Sequence, residues 1–212
     1  MRLAGDGNVQ GTLKLPYPAD ERMQMSAEGY TPPVPFTISP QVVASATGDR
    51  VAYLVSHYAP KDSGAFTVSI FKSNGDTIFG KTFAYRGVPI EQLARDSAIV
   101  ALTRMREGGP EVIKQLQEIA SRKMPSIYSE ALSIVIGQDN TVWIAQRKTA
   151  TGQIVLVLNN SGKIIGHVKI PFGSQLRRAS RSHVWLTEDT RNEESNVVRY
   201  RVIGLACEKT PC

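Results

Sequence analysis

Alternation of apolar and polar residues divides most of this chain into short strands. Arg50 to Val55 reads Arg-Val-Ala-Tyr-Leu-Val, Phe66 to Phe71 alternates as Phe-Thr-Val-Ser-Ile-Phe, and Asn74-Gly75 leads into Thr77-Ile78-Phe79. A period of two ending in Asn-Gly predicts a hairpin, because these residues accept the positive φ angles of a two-residue turn. The same order returns with Thr141 to Ala145, Ile154 to Leu158, the turn Asn160-Ser161-Gly162 and Ile164 to Ile170. It begins a third time with His183 to Leu186 and continues to Val197 to Val202.

The strands recur at a fixed distance. Val142-Trp143 and Val184-Trp185 stand 42 residues apart, within the period of about 40 to 45 residues of a four-stranded propeller blade. Gly7 to Pro16 and Gly162 to Pro171 also share two glycines, an aliphatic-Lys-aliphatic strand and a proline in one register. The predicted fold is therefore mainly β, a partial β-propeller of about three to four antiparallel blades. Trp143 and Trp185, at equivalent strand positions, are expected to fill the gaps between blades.

Residues 89 to 122 break the strand pattern. Ile90, Leu93, Ala94, Ser97, Val100 and Ala101 recur at three and four spacing, the stripe of a helix facing a core. Gly108-Gly109 ends it, and Pro110 opens a second stripe of Val112, Ile113, Leu116, Ile119 and Ala120. The pair reads as a helical hairpin inserted between two blades, with Glu91, Arg95, Glu111, Lys114, Gln115, Glu118 and Arg122 facing water. Residues 17 to 46, rich in proline, read as a long connection between strands or blades. The expected domain covers residues 1 to 203, followed by a tail at 204 to 212.

Composition adds few constraints. With 42% hydrophobic and 21% charged residues over 212 positions, the chain can bury one sizeable core. It has no run of 18 apolar residues, so no helical membrane span is predicted. Met1 to Gly7 lacks the apolar centre and cleavage site of a secretory signal. The chain starts inside a repeat, which predicts a piece of a longer propeller.

A net charge of +6 favours acidic partners. Arg177, Arg178 and Arg181 form the densest basic group, and Arg199 and Arg201 alternate on one face of a late strand. Without interleaved aromatics or a reading helix, this pattern describes a solvated surface better than a nucleic-acid site. Cys207 and Cys212 either close a short disulfide loop in an oxidising compartment or remain two thiols, and their spacing matches no zinc pattern.

No catalytic pattern emerges. His57, His167 and His183 are isolated, and His-Glu-x-x-His is absent. There is no Gly-x-Ser-x-Gly elbow, while Ser63-Gly64 and Ser161-Gly162 are turn residues. Gly5-Asp6-Gly7 and Gly108-Gly109-Pro110 lack the ending of a phosphate loop. Asp49, Asp76, Asp96, Asp139, Glu188 and Asp189 are the carboxylates from which a dispersed Ca²⁺ or Zn²⁺ site would be drawn. Asp49 and Asp139 suit turns and Asp96 suits a helix, so no cofactor is assigned.

The order of strand, hairpin, Asn-x-Gly turn and returning strand ending in Pro, then a helical stretch and Asp139 to Ile144, resembles bacterial six-bladed β-propellers of the TolB-like or NHL-like kind. The closing strand Val197 to Val202 is similar to theirs. The resemblance spans most of residues 5 to 203 and implies repeated four-stranded sheets and an extracytoplasmic location, but brings no catalytic residues. Outside the helical segment about 170 residues remain, enough for roughly four blades. A six-bladed ring would not close, and its unpaired edges would invite self-association. The expected function is a non-enzymatic binding or scaffold propeller contacting protein, peptide or glycan through blade loops. The alternative is a metal-dependent hydrolase or lyase acting on a lactone or ester.

Overall fold

The computed structural model describes residues 2–3, 9–11, 25–27, 32–58, 62–102, 109–149, 151–189 and 195–205. A short pair, β1 (Arg2–Leu3) and β2 (Val9–Gly11), precedes three antiparallel sheets. The first sheet is a meander of β3 (Gln41–Ala44), β4 (Arg50–Tyr58), β5 (Ser63–Lys72) and β6 (Thr77–Arg86). Two helices follow, α1 (Gln92–Leu102) and α2 (Pro110–Lys123). The second meander is β7 (Ala131–Ile136), β8 (Val142–Thr149), β9 (Gly152–Leu158) and β10 (Ile164–Ile170), and the third is β11 (Ser174–Ala179), β12 (His183–Asp189) and β13 (Ser195–Arg201).

The strands expected from alternation are present, and the turns follow from their residues. Gly75 takes φ +97° after β5, and Asn74 Oδ1 accepts from Asp76 N at 3.1 Å. At the equivalent turn of the second sheet, Asn159 Oδ1 accepts from Ser161 N at 3.0 Å and Lys163 N at 2.8 Å. These side chains close the turn by substituting for backbone acceptors. The repeat at Gly7 to Pro16 lies mostly outside the described residues, as do Cys207 and Cys212.

The sheets stack face to face. Ala52, Leu54, Val68 and Ile70 of the first meet Ile134, Val142, Ile144, Leu156 and Leu158 of the second. The opposite face of the second sheet presents Trp143, Val155 and Val157 to Ala179, Val184 and Leu186 of the third. Burying a large aliphatic side chain contributes about 1.5–3 kcal/mol, so these two seams dominate the packing. Tyr53, Val55 and Phe71 form a further buried cluster on the other face of the first sheet.

Three expectations change. Residues 17 to 46 are not solely a connection, because β3 lies within them as the first strand of the first sheet. Its four residues, two of them exposed, are too short for alternation to stand out. Met25, Ala27 and Val34 also pack against Leu102, Val112 and Leu116 of the helices. On α1 the expected core stripe is turned outward: Leu93 is 76% and Val100 55% exposed. Ala98, Ile99 and Leu102 pack inward instead, and Arg95 Nη1 donates to Pro125 O at 2.7 Å. Leu93 and Val100 belong to one period and Ala98 and Leu102 to another, and spacing alone cannot choose between them. Trp143 fills a seam between sheets, but Trp185 is half-buried on the outer face of the third sheet.

Gly162 holds the second sheet against the first. It takes φ +76°, and a Cβ there would lie 2.7–3.0 Å from ring atoms of Phe79. Gly162→Ala is therefore expected to lose at least about 1 kcal/mol, from backbone strain and the displaced ring together. Urea unfolding checks this, and an unchanged midpoint would show that the Phe79 contact carries no weight.

Candidate functional site

The turns joining the first two strands of each sheet lie at one end of the stack. Each is closed by a backbone bond: Ser45 N donates to Arg50 O at 2.9 Å, Gly137 N to Thr141 O at 2.7 Å, and Ser180 N to His183 O at 2.7 Å. Gln138 N also donates to Ala179 O at 2.9 Å, which ties the second turn to the third sheet. An open cleft of about 230 Å³ lies between them, lined by Ser45, Thr47, Gln138, Asn140 and Arg178. In the amide orientation that satisfies both groups, Gln138 Oε1 accepts from Arg178 Nε at 2.8 Å and Nη2 at 2.6 Å.

The carboxylates beside this cleft are already engaged. Asp49 accepts from the Thr47 and Ser45 hydroxyls, and these two bonds hold its carboxyl below the usual range, with Arg50 adding to the effect. Asp139 accepts from Thr141 Oγ1 at 2.6 Å and from Arg181 N at 2.8 Å. The Thr141 hydroxyl in turn accepts from Trp143 Nε1 at 2.6 Å, so the buried indole N–H is satisfied through a chain reaching the third sheet. The Arg181 guanidinium stands 3.9 Å from Asp139, an ion pair too long for a hydrogen bond.

A second polar group lies where β4 ends and β7 begins. Ser56 and Ser129 hydroxyls are 2.9 Å apart in the interior, and the Tyr58 hydroxyl accepts from Ile38 N at 2.7 Å. Arg147 lies over the Tyr128 ring at 4.2 Å, with Phe36 meeting that ring edge-on at 5.6 Å. Burial raises the pKa of Tyr58, Tyr85 and Glu130, and for Glu130 the nearby Arg147 charge opposes the shift. Alternation hid this group, since its residues come from five separate segments: the stretch before β3, β4, β6, the stretch before β7, and β8.

The candidate residues from the sequence stay apart. His57 Nε2 meets Thr67 Oγ1 at 2.9 Å, His167 is exposed on β10, and His183 Nδ1 meets Ser182 Oγ at 3.0 Å. Asp76 sits in its turn with Asn74, Asp96 accepts from Gln92 on α1, and Glu188 accepts from Tyr200 at 2.8 Å. Among the described residues no three His, Cys, Asp or Glu gather as metal ligands. Arg177 and Arg178 stay together on β11, Arg177 donating to Thr187 at 2.9 Å, while Arg181 turns away to Asp139. No family model matches the chain, and neither a curated protein nor a solved structure matches it. The site is therefore defined by its own geometry.

Two outcomes follow. Thr141→Val keeps the shape but removes the acceptor of the Trp143 indole, and is expected to cost about 1–3 kcal/mol in urea unfolding, whereas Thr141→Ser is close to neutral. Equal stability of all three proteins would exclude the indole chain as a structural tie. For Glu130 the folded pKa is raised, so stability falls as pH rises from the unfolded value near 4.5 through the folded one. Glu130→Gln should raise Tm at pH 7, leave it unchanged near pH 3.5, and flatten the interval between.

Proposed function

We propose that this chain is a partial β-propeller that acts as a non-enzymatic binding or scaffold module, contacting a protein, peptide or glycan through turns at one end of its sheets. The observation that carries the architecture is the common polarity of the stack. Pairing sets Val51, Val142 and Val184 as equivalents, opposite Ala44, Ile136 and Ala179. The next position is then Ala52, Trp143 and Trp185: Ala52 faces the second sheet, Trp143 faces the third, and Trp185 faces outward. A two-layer sandwich opposes like faces, whereas radial repetition sends each sheet's same face to its successor.

The cleft supports binding over catalysis by its chemistry. Its lining offers hydroxyls, amides and one guanidinium, suited to a ligand carrying hydroxyls, carbonyls or a carboxylate. General-base chemistry needs a proton acceptor within reach of a nucleophile, and the carboxylates beside the cleft are spent on turn hydroxyls and backbone. Self-association through the outer strands β6, β10 and β13 belongs to the same proposal, because each leaves one edge unpaired in its sheet.

Amide NMR titration with short acidic peptides and neutral oligosaccharides tests it. The expected result is saturable shifts at Thr47, Gln138, Asn140 and Arg178, lost in Arg178→Ala. Stoichiometric Ca²⁺ or Zn²⁺ together with turnover of a lactone or ester would overturn the proposal in favour of a metal-dependent hydrolase or lyase.

A further inference from the structure

The outward face of the third sheet departs from its equivalents in one respect. Flanking Ala52 on the first sheet are Val43 and Ile70, and flanking Trp143 on the second are Val135 and Val157. Flanking Trp185 on the third are Arg178 and Arg199. Two aliphatic positions of the packing face have become arginines, both exposed, on either side of a half-buried indole. The Arg178 guanidinium lies 6.0 Å from the Trp185 ring centroid. An apolar sheet seated here would strip water from these charges without repaying it, so the face selects an anionic partner.

The next pair repeats the arrangement. His183 stands two residues before Trp185 on β12, with ring centroids 6.2 Å apart, and Arg201 is paired with it across the sheet. Ring plus guanidinium thus occurs twice, at the strand repeat of roughly 6.7 Å per two residues. Arg199 and Arg201 are both exposed. Asp189 ends the same register opposite Ser195, at the far end of β12 from His183. Glu188 belongs to the opposite register and accepts from Tyr200.

We propose that this face binds single-stranded nucleic acid, with bases stacking on Trp185 and His183 and phosphates meeting Arg178, Arg199 and Arg201. A repeating unit of one planar ring and one anion fits the repeating ring and cation better than an acidic glycan, whose sugars lack a π-face. The aromatic that the basic group lacks along the sequence is supplied across the strands. Arg178 also lines the turn cleft, so the two surfaces share that residue, whereas Trp185, His183, Arg199 and Arg201 belong to this face alone and carry its test.

The test is fluorescence anisotropy of labelled (dT)10 with the full chain across a salt series, with heparin measured in parallel. Saturable binding is expected at low salt, weakening with log[salt] at a slope of about −2 for three phosphate contacts. Arg199→Ala/Arg201→Ala should weaken (dT)10 at least tenfold without moving the thermal midpoint. Trp185→Ala should weaken (dT)10 but not heparin, and Trp185→Phe should retain most of the affinity, which guards against a folding defect in the alanine variant. Intrinsic fluorescence should be quenched through Trp185, since Trp143 is fully buried. Absence of saturable (dT)10 binding, binding indifferent to the double arginine variant, or loss of heparin and (dT)10 alike in the arginine variant with indifference to Trp185→Ala would each overturn the proposal, the last in favour of an acidic-glycan surface.

Discussion

The second sheet is buried on both faces, and its neighbours are placed by that demand. Along β8 and β9 consecutive side chains alternate between two interiors, with Val142, Ile144, Leu156 and Leu158 toward the first sheet and Trp143, Val155 and Val157 toward the third. A stretch with no solvent face reads as a continuous apolar run, as Val155 to Leu158 does. Such a sheet cannot leave a polar group unmatched. The Trp143 indole is accordingly bonded to Thr141, and Gln153 Nε2 donates to Gln146 O at 2.6 Å.

Satisfying that indole also orders the turns. The Thr141 hydroxyl donates a hydrogen bond to Asp139, and Asp139 accepts the Arg181 N–H from the turn of the third sheet, so one buried donor aligns two turns. Gln138 N, bonded to Ala179 O, reinforces the alignment. The cleft at this end follows from core packing and from the short polar residues that turns require. Its lining presents hydroxyl, amide and guanidinium groups, and the acids beside it are occupied by turn hydroxyls and backbone.

The helices are attached by a separate small core. Val112, Leu116 and Ala120 of α2 meet Leu102 of α1 together with Met25, Ala27 and Val34. The chain before β3 therefore does structural work that its prolines do not suggest. An isolated helical hairpin of this length would be marginal in water, and packing on this segment supplies the burial it lacks.

Sequence by itself determined the strands that fall within β4, β5, β6, β8, β9, β10, β12 and β13, the hairpin turns at Asn74-Gly75 and at Asn160 to Gly162, the start of α2 at Pro110 and the repeated spacing of Val-Trp. These are local properties, set by backbone sterics and by alternation within a few residues. Tertiary structure alone decided which α1 stripe faces inward, that β3 completes a sheet, and that Trp143 and Trp185 at equivalent positions have different surroundings. It also brought Asp139 to Arg181 and set Trp185 between Arg178 and Arg199. Each of these depends on residues from separate strands becoming neighbours, and the pairing register that makes them so is fixed by hydrophobic faces closing on one another rather than by any local pattern.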